Sequence, residues 1–208
     1  MVAVFLTGAA MLLAGCGGDP VTKQYVFHQD DSPVEVDTPE LRHLRAEAGV
    51  QPCPKTTAAV SEASHALPDV TLPCLGGGSS VNLAELRGPL LLNLWAQNCQ
   101  PCKDESPILQ QVAEEYRGEV RVIGVDWQDM LPDYALAMVG QLGVTYPQLA
   151  DPVGATRAAL DVQGLPYTYF VTRAGAVAYV NPGPLQSVAQ VRDLIDAHLG
   201  VAPPGGAS

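Results

Sequence analysis

Residues Leu90 to Pro107, LLLNLWAQNCQPCKDESP, constrain this chain more than any other stretch. An apolar run ends at Trp95, and two cysteines follow at Cys99 and Cys102. A segment with helical spacing then begins. A short, near-continuous apolar run bounded by turn residues reads as a central strand covered on both faces. Ile108, Leu109, Val112, Ala113 and Tyr116 fall at the period of an amphipathic helix over Pro101 to Arg117. Pro107 lies inside that helix and is expected to kink or break it. Glu119 to Val125 is a second apolar run, so the segment reads strand, helix, strand.

The flanking chain fits one α/β domain. Leu131 to Leu142 is expected to be helical, Pro147 to Asp151 short and extended, and Val153 to Leu160 a short helix. Tyr167 to Thr172 and Ala176 to Val180 flank Arg173-Ala174-Gly175 as a hairpin. Leu185 to Leu199 closes the chain with Val188, Val191, Leu194, Ile195 and Leu199 on one helical face. The order after residue 90 is βαβα, a short insertion, then ββα. That order predicts a central mixed sheet flanked by helices. Upstream, Thr38 and Pro39 look like the N-cap and first residue of a helix to about Ala48. Leu67 to Leu72 and Val81 to Leu83 are short strand candidates.

Two thiols separated by two residues, at a strand-to-helix turn, suit thiol–disulfide exchange. Cys99 falls at or near the helix N-cap, where unpaired N–H groups and the helix dipole favour a thiolate. Cys102 lies one turn deeper. Cys99 is therefore the expected nucleophile and Cys102 the resolving thiol. Pro101 restrains the loop between them. The alternatives are a structural disulfide, a four-cysteine zinc site and a peroxide-reducing cysteine. A two-residue loop gives little entropic stabilisation, and zinc favours a second close pair, whereas Cys53 and Cys74 are far apart in sequence.

The motif Asn93-Leu94-Trp95-Ala96-Gln97-Asn98-Cys99-Gln100-Pro101-Cys102-Lys103-Asp104-Glu105-Ser106-Pro107 resembles the signature of the TlpA/ResA/DsbE branch of thioredoxin-like proteins, roughly N-x-W-A-x-W-C-x-P-C-x-x-E-x-P. The resemblance runs from about residue 67 to 199 and implies a thioredoxin fold with an N-terminal extension. It implies a cis bond before Pro166, in Gly164-Leu165-Pro166-Tyr167, facing the dithiol and helping to bind a partner strand. From sequence alone Pro166 could equally start a strand. Glu105 matches an acidic residue that this branch keeps near the dithiol. It shares a helical face with Cys102, where a carboxylate disfavours the thiolate and can exchange protons with it. The plainer reading is a first-turn Glu that favours the dipole. Asn93 and Trp95 are supporting positions. Asn93 stands where thioredoxins themselves have a buried Asp, and its plain role is a polar core residue bonded to backbone. Asn98 departs from the pattern, replacing an aromatic residue. By resemblance the protein acts on protein thiols or disulfides with no cofactor beyond its own disulfide. The role implied is reductant, for example of apocytochrome c thiols, re-reduced by a membrane thiol donor. The alternatives are a DsbA-like oxidase and a non-catalytic binding module.

The rest of the chain gives an address. Residues 1–15 form an apolar core too short to span a bilayer, which takes about 20 residues, and read as a secretory signal. Leu13-Ala14-Gly15-Cys16 resembles a lipobox, which implies a lipid on Cys16 and an outer-face membrane anchor; the alternative is a plain signal peptide. Residues 16–38 read as a tether, 39–66 as the extension, 67–200 as the domain and 201–208 as a loose tail. Of five cysteines, removing Cys16 leaves four, an even number that suits pairing outside the cytoplasm. Joining Cys99 to Cys102 leaves Cys53 to Cys74 as a staple, or as a second redox pair. A net charge of −11 argues against nucleic acid as a partner.

Overall fold

A computed structural model describes residues 34–203. The readings for the signal segment, for Cys16, for the tether up to residue 33 and for the tail from 204 lie outside the described residues. The elements are α1 (Pro39–Glu47), β1 (Thr71–Leu72), β2 (Val81–Asn82), β3 (Leu90–Trp95), α2 (Gln100–Glu115), β4 (Arg121–Trp127), α3 (Pro132–Gln141), β5 (Gln148–Asp151), β6 (Tyr167–Val171), β7 (Val177–Pro182) and α4 (Val188–Leu199).

The main sheet has the order β5-β4-β3-β6-β7. Strands β3, β4 and β5 are parallel, while β6 and β7 run antiparallel to their neighbours. The apolar run of β3 is central, and all six of its residues are buried. Alternation sends Leu91 and Trp95 to one face with Cys102, Leu109, Leu136 and Ile195. It sends Leu90, Leu92 and Leu94 to the other, with Leu72, Val81 and Val162. Full burial of each such leucine contributes about 2 kcal/mol. All four described α-helices contribute to the first face. The second is covered by the β1–β2 hairpin, a one-turn 3-10 helix at Leu83–Glu85 and the turns before Val162.

Local chemistry explains where elements begin and end. The Thr38 hydroxyl accepts from the Leu41 N–H at 3.3 Å and caps α1, with Pro39 in its first turn. Helix α2 runs unbroken through Pro107, which lies on its exposed side, where the carbonyl left without a partner can meet water. The helix expected over 153–160 is instead a series of turns. Asp151 diverts its first N–H groups, accepting from Ala155 N at 2.7 Å, Thr156 N at 3.0 Å and Thr156 Oγ1 at 2.6 Å. Helix α4 starts three residues later than the apolar spacing implies, because Ser187 caps it and the Leu185 N–H is used elsewhere.

Two boundaries differ from the composition reading. Residues 34–38, placed in the tether, are packed: Val36 is 2% exposed and its carbonyl accepts the Gly76 N–H at 2.9 Å. At the other end Val201, placed in the tail, is also buried. The segment 39–66 is laid along the domain rather than apart from it. Gln51 N donates to Thr145 O at 2.8 Å, Ser61 N donates to Ala84 O at 2.9 Å, and Ala66 bridges Ala176. Cys53 and Cys74 form a disulfide. Just beside it, Pro73 to Leu75 runs antiparallel along the outer edge of β5. Ala150 N donates to Pro73 O and Leu75 N to Gln148 O, both at 2.9 Å.

Candidate active site

The end of β3 and the start of α2 place the dithiol. Cys99 is the N-cap of α2, and its sulfur accepts from the Cys102 N–H at 3.3 Å. The two sulfurs are bonded. Cys99 is half-buried and Cys102 fully buried. An incoming sulfur therefore meets Cys99, whose anion would sit on the free N–H groups of the helix start. Gln100 opens the helix, exposed, and donates to Asp104 at 2.8 Å. Pro101 occupies the first turn, where its missing N–H breaks no bond.

Pro166 sits at the same end of the sheet. The Leu165–Pro166 bond is cis. Strand register pairs Leu94 with Tyr167, which puts Pro166 opposite the last residue of β3, where the chain turns toward Cys99. A second cis bond, Gly88–Pro89, lies at the far end of β3 and carried no sequence signal.

Under the dithiol helix lies a buried carboxyl. Glu105 is 1% exposed. Its Oε1 accepts from Asn93 Nδ2 at 2.7 Å and its Oε2 from the Leu185 N–H at 2.9 Å. Burial pushes its proton affinity up to about pH 7, and the two hydrogen bonds from Leu185 and Asn93 hold it back only in part. Glu105 is thus neither a solvent-facing first-turn residue nor a fixed anion. It is a carboxyl poised to take or give a proton near neutrality, one helical turn from Cys102. The Asn93 amide also donates to Thr168 Oγ1 at 3.0 Å, so it is bonded to side chains and not to backbone.

Trp95 is held by a partner that sequence proximity could not indicate. Its indole N–H donates to Gln148 Oε1 at 2.8 Å, while Gln148 Nε2 donates to Tyr146 O at 3.0 Å. This bond passes over Gly124: a Cβ there would stand 1.9 Å from Gln148 Oε1 and 2.8 Å from Trp95 Nε1. Gly124→Ala is therefore expected to break the Trp95–Gln148 bond and lower stability by about 2 kcal/mol. Urea unfolding of the oxidised protein measures this, and a loss under about 0.5 kcal/mol would mean that the pair relaxes freely.

Among the described residues no group of three or more His, Cys, Asp or Glu side chains could hold a metal ion. Likewise, no described helix is long and apolar enough to cross a membrane.

The AhpC/TSA family profile matches residues 63–180, which is more than half of the 208-residue chain. The chain belongs to the AhpC/TSA family. The relatives this AhpC/TSA protein matches include thiol-exchange proteins. It is 34% identical over 118 residues to the thiol:disulfide interchange protein CycY of Rhizobium leguminosarum bv. viciae, covering 55% of this chain and 61% of CycY. Less than two thirds of that relative's length is therefore matched. A crystal structure from Chlorobium tepidum, described as a thiol:disulfide interchange protein DsbE, superposes with a TM-score of 0.58 at 25% identity, over 69% of this chain and all of that one. A secreted thiol-disulfide isomerase from Corynebacterium glutamicum gives a TM-score of 0.55 at 26% identity, over 73% of this chain and 95% of the other. The thioredoxin-like fold and the TlpA/ResA/DsbE resemblance read from the motif are both borne out by these matches.

Proposed function

We propose that this protein is an extracytoplasmic thiol–disulfide oxidoreductase whose Cys99–Cys102 dithiol reduces disulfides in protein substrates. The observation that carries the reading is the asymmetry of the pair: a half-buried Cys99 at the helix N-cap, and a fully buried Cys102 one turn from Glu105. In the reduced protein the Cys99 thiolate attacks a partner disulfide. A Cys99–partner bond forms, and the displaced partner sulfur leaves with the electron pair and takes a proton. Cys102 then loses its proton to Glu105 and attacks the Cys99 sulfur. The internal disulfide closes, and the second partner thiolate is released. Two electrons pass to the partner, and a membrane thiol donor restores the dithiol.

The buried carboxyl favours the reducing direction. A strong oxidant stabilises its thiolate, whereas a carboxyl that ionises beside the dithiol raises the cost of one. The resemblance adds cytochrome c thiols as a substrate class. The secreted Corynebacterium neighbour supports a site of action outside the cytoplasm. The lipobox-like ending supports an anchor at Cys16, and Cys16→Ala is then expected to move the protein from the membrane fraction to the soluble one.

Insulin reduction by the purified protein, together with its reduction potential, tests the function. A potential near about −270 mV fits a reductant, and one near about −120 mV would assign the oxidase role instead. No insulin reduction at any potential would leave only the binding-module reading.

The second disulfide acts as a staple. Cys53 and Cys74 are 7% and 2% exposed, out of reach of an incoming thiolate. Replacing both by alanine is expected to cost about 3 kcal/mol of stability while leaving insulin reduction intact. Thiol trapping under graded reduction distinguishes the alternative: opening at the same potential as Cys99–Cys102 would make it a redox pair.

A further inference from the structure

The end of β4 and the turn after it carry two buried acids that the exchange chemistry above does not use. Asp126 is the penultimate residue of β4 and is 2% exposed, while Asp129, in the turn, is 7% exposed. Register places Asp126 between Trp95 of β3 and Ala150 of β5, on the face that α2 covers with Cys102 and Glu105. Asp129 uses both of its oxygens on backbone. Oδ2 accepts from the Gln97 N–H at 3.0 Å, and Oδ1 accepts from the Leu131 N–H at 2.9 Å. Gln97 is two residues before Cys99, inside the turn closed by the Cys99 N–H on Ala96 O at 3.0 Å. One carboxylate therefore ties the dithiol loop to the start of α3.

Asp126 supplies what keeps that carboxylate in place. Its Oδ1 is buried without a hydrogen-bond partner, an arrangement costly for an anion. Asp129, three residues on, already accepts two N–H bonds, so of the two interacting carboxyls Asp126 is the one that carries a proton. Burial is the main reason Asp126 holds it well above the ordinary range, with the charges of Asp129 and Asp151 adding to it. Asp151 ends β5 and is occupied by the 155–156 turn. Glu105 on α2 shares the face, Asp133 opens α3, and the strand neighbours Trp95 and Ala150 carry no charge.

We propose that Asp129 is a positioning residue for the dithiol loop, and that a proton on Asp126 locks it there. While Asp126 is protonated, Asp129 holds Gln97 and so the approach to Cys99. Once Asp126 ionises, acidic groups face one another, Asp129 is driven off the Gln97 N–H, and the loop loosens. The proposal deepens the exchange function and rests on Cys99 as the attacking thiol. Its first readout does not depend on exchange activity.

The test is amide hydrogen exchange at Gln97 and alkylation of reduced Cys99, across pH, in the full chain. Asp129→Ala is expected to speed Gln97 exchange about tenfold or more while central β3 and β4 amides keep their protection. It should also change the Cys99 alkylation rate. In wild type, Gln97 exchange corrected for intrinsic base catalysis should steepen as rising pH ionises Asp126. Asp126→Asn can still donate to Asp129 but cannot ionise, so it should keep the protection and lose that steepening. The same pH course in wild type and Asp126→Asn would overturn the proposal, as would unchanged Gln97 protection in Asp129→Ala. Should Asp129→Ala fail to fold, Asp129→Asn has one acceptor oxygen and must release Gln97 or Leu131. Normal protection at both would overturn the proposal equally. Failure of wild type to reduce insulin would instead sink the oxidoreductase reading and leave the Gln97 result standing.

Discussion

Replacing Cys99 by serine is expected to lower insulin reduction by about 10³-fold or more, because a serine hydroxyl offers no accessible anion and closes no disulfide. Cys102→Ser is expected to behave differently. Cys99 still attacks, the second step is missing, and the protein accumulates as a covalent mixed disulfide with its substrate. The reason is positional. Cys99 is half-buried at the helix N-cap, where the Cys102 N–H lies 3.3 Å from its sulfur, and Cys102 itself is fully buried. Non-reducing gels and intact mass of the trapped species measure the outcome. If Cys99→Ser traps substrate as well as Cys102→Ser does, the order of attack is wrong. Cys16 must be absent from the protein used, so that it cannot capture substrate on its own.

The second large effect concerns Glu105. Folding raises its proton affinity from an ordinary 4.5 to about 7, chiefly through burial. The folded protein therefore holds this proton to a higher pH than the unfolded chain does. The stabilisation is complete below the unfolded value and is lost as pH rises through the folded one. Between pH 4.5 and 7 the loss amounts to about 3 kcal/mol. Glu105→Gln removes this dependence, so the difference between wild-type and variant stability should change with that sign over that window. Asp126, also raised by burial, bends the wild-type curve in the same direction, and subtracting the variant curve isolates Glu105. In exchange, Glu105→Gln deprives Cys102 of its proton acceptor. Resolution of the mixed disulfide is expected to slow by about 10²-fold, while the first attack by Cys99 changes less. Stopped-flow separation of the two steps decides this: equal slowing of both would assign Glu105 to the potential of the pair and not to proton transfer.

Much of this was legible in the chain because the signals are local. The β3 run, the Cys99–Cys102 spacing and the helical period of α2 are each contained within a few residues. Capping chemistry at Thr38 and Pro39 likewise names the start of α1. The structure departs from the sequence reading where side chains claim backbone groups that the apolar spacing leaves to a helix, or where residues distant in sequence meet. The apolar spacing at 153–160 was helical, but Asp151 claims the N–H groups that a helix would need. The start of α4 was misplaced because Glu105, 80 positions away, takes the Leu185 N–H. Gln148, Thr168, Asp126 and Asp129 were invisible as site residues for the same reason. Each sits in an ordinary strand or turn and acquires a role only when register brings Asn93, Trp95 or Gln97 beside it. The end of the tether was missed because Val36 is a lone apolar residue whose burial depends on the glycine loop at Gly76.

The short run Pro73 to Leu75 has a consequence for how copies of this protein behave in a crowd. It fills the hydrogen-bonding row of β5 that would otherwise face outward, and the Cys53–Cys74 bridge fastens it there. A sheet margin left open invites another chain to add a strand. Here one margin is sealed covalently, and the Ala66–Ala176 bridge shields the beginning of the other. A strongly reducing environment would therefore do more than soften the fold: it would unseal a β margin and open it to strand addition by another chain.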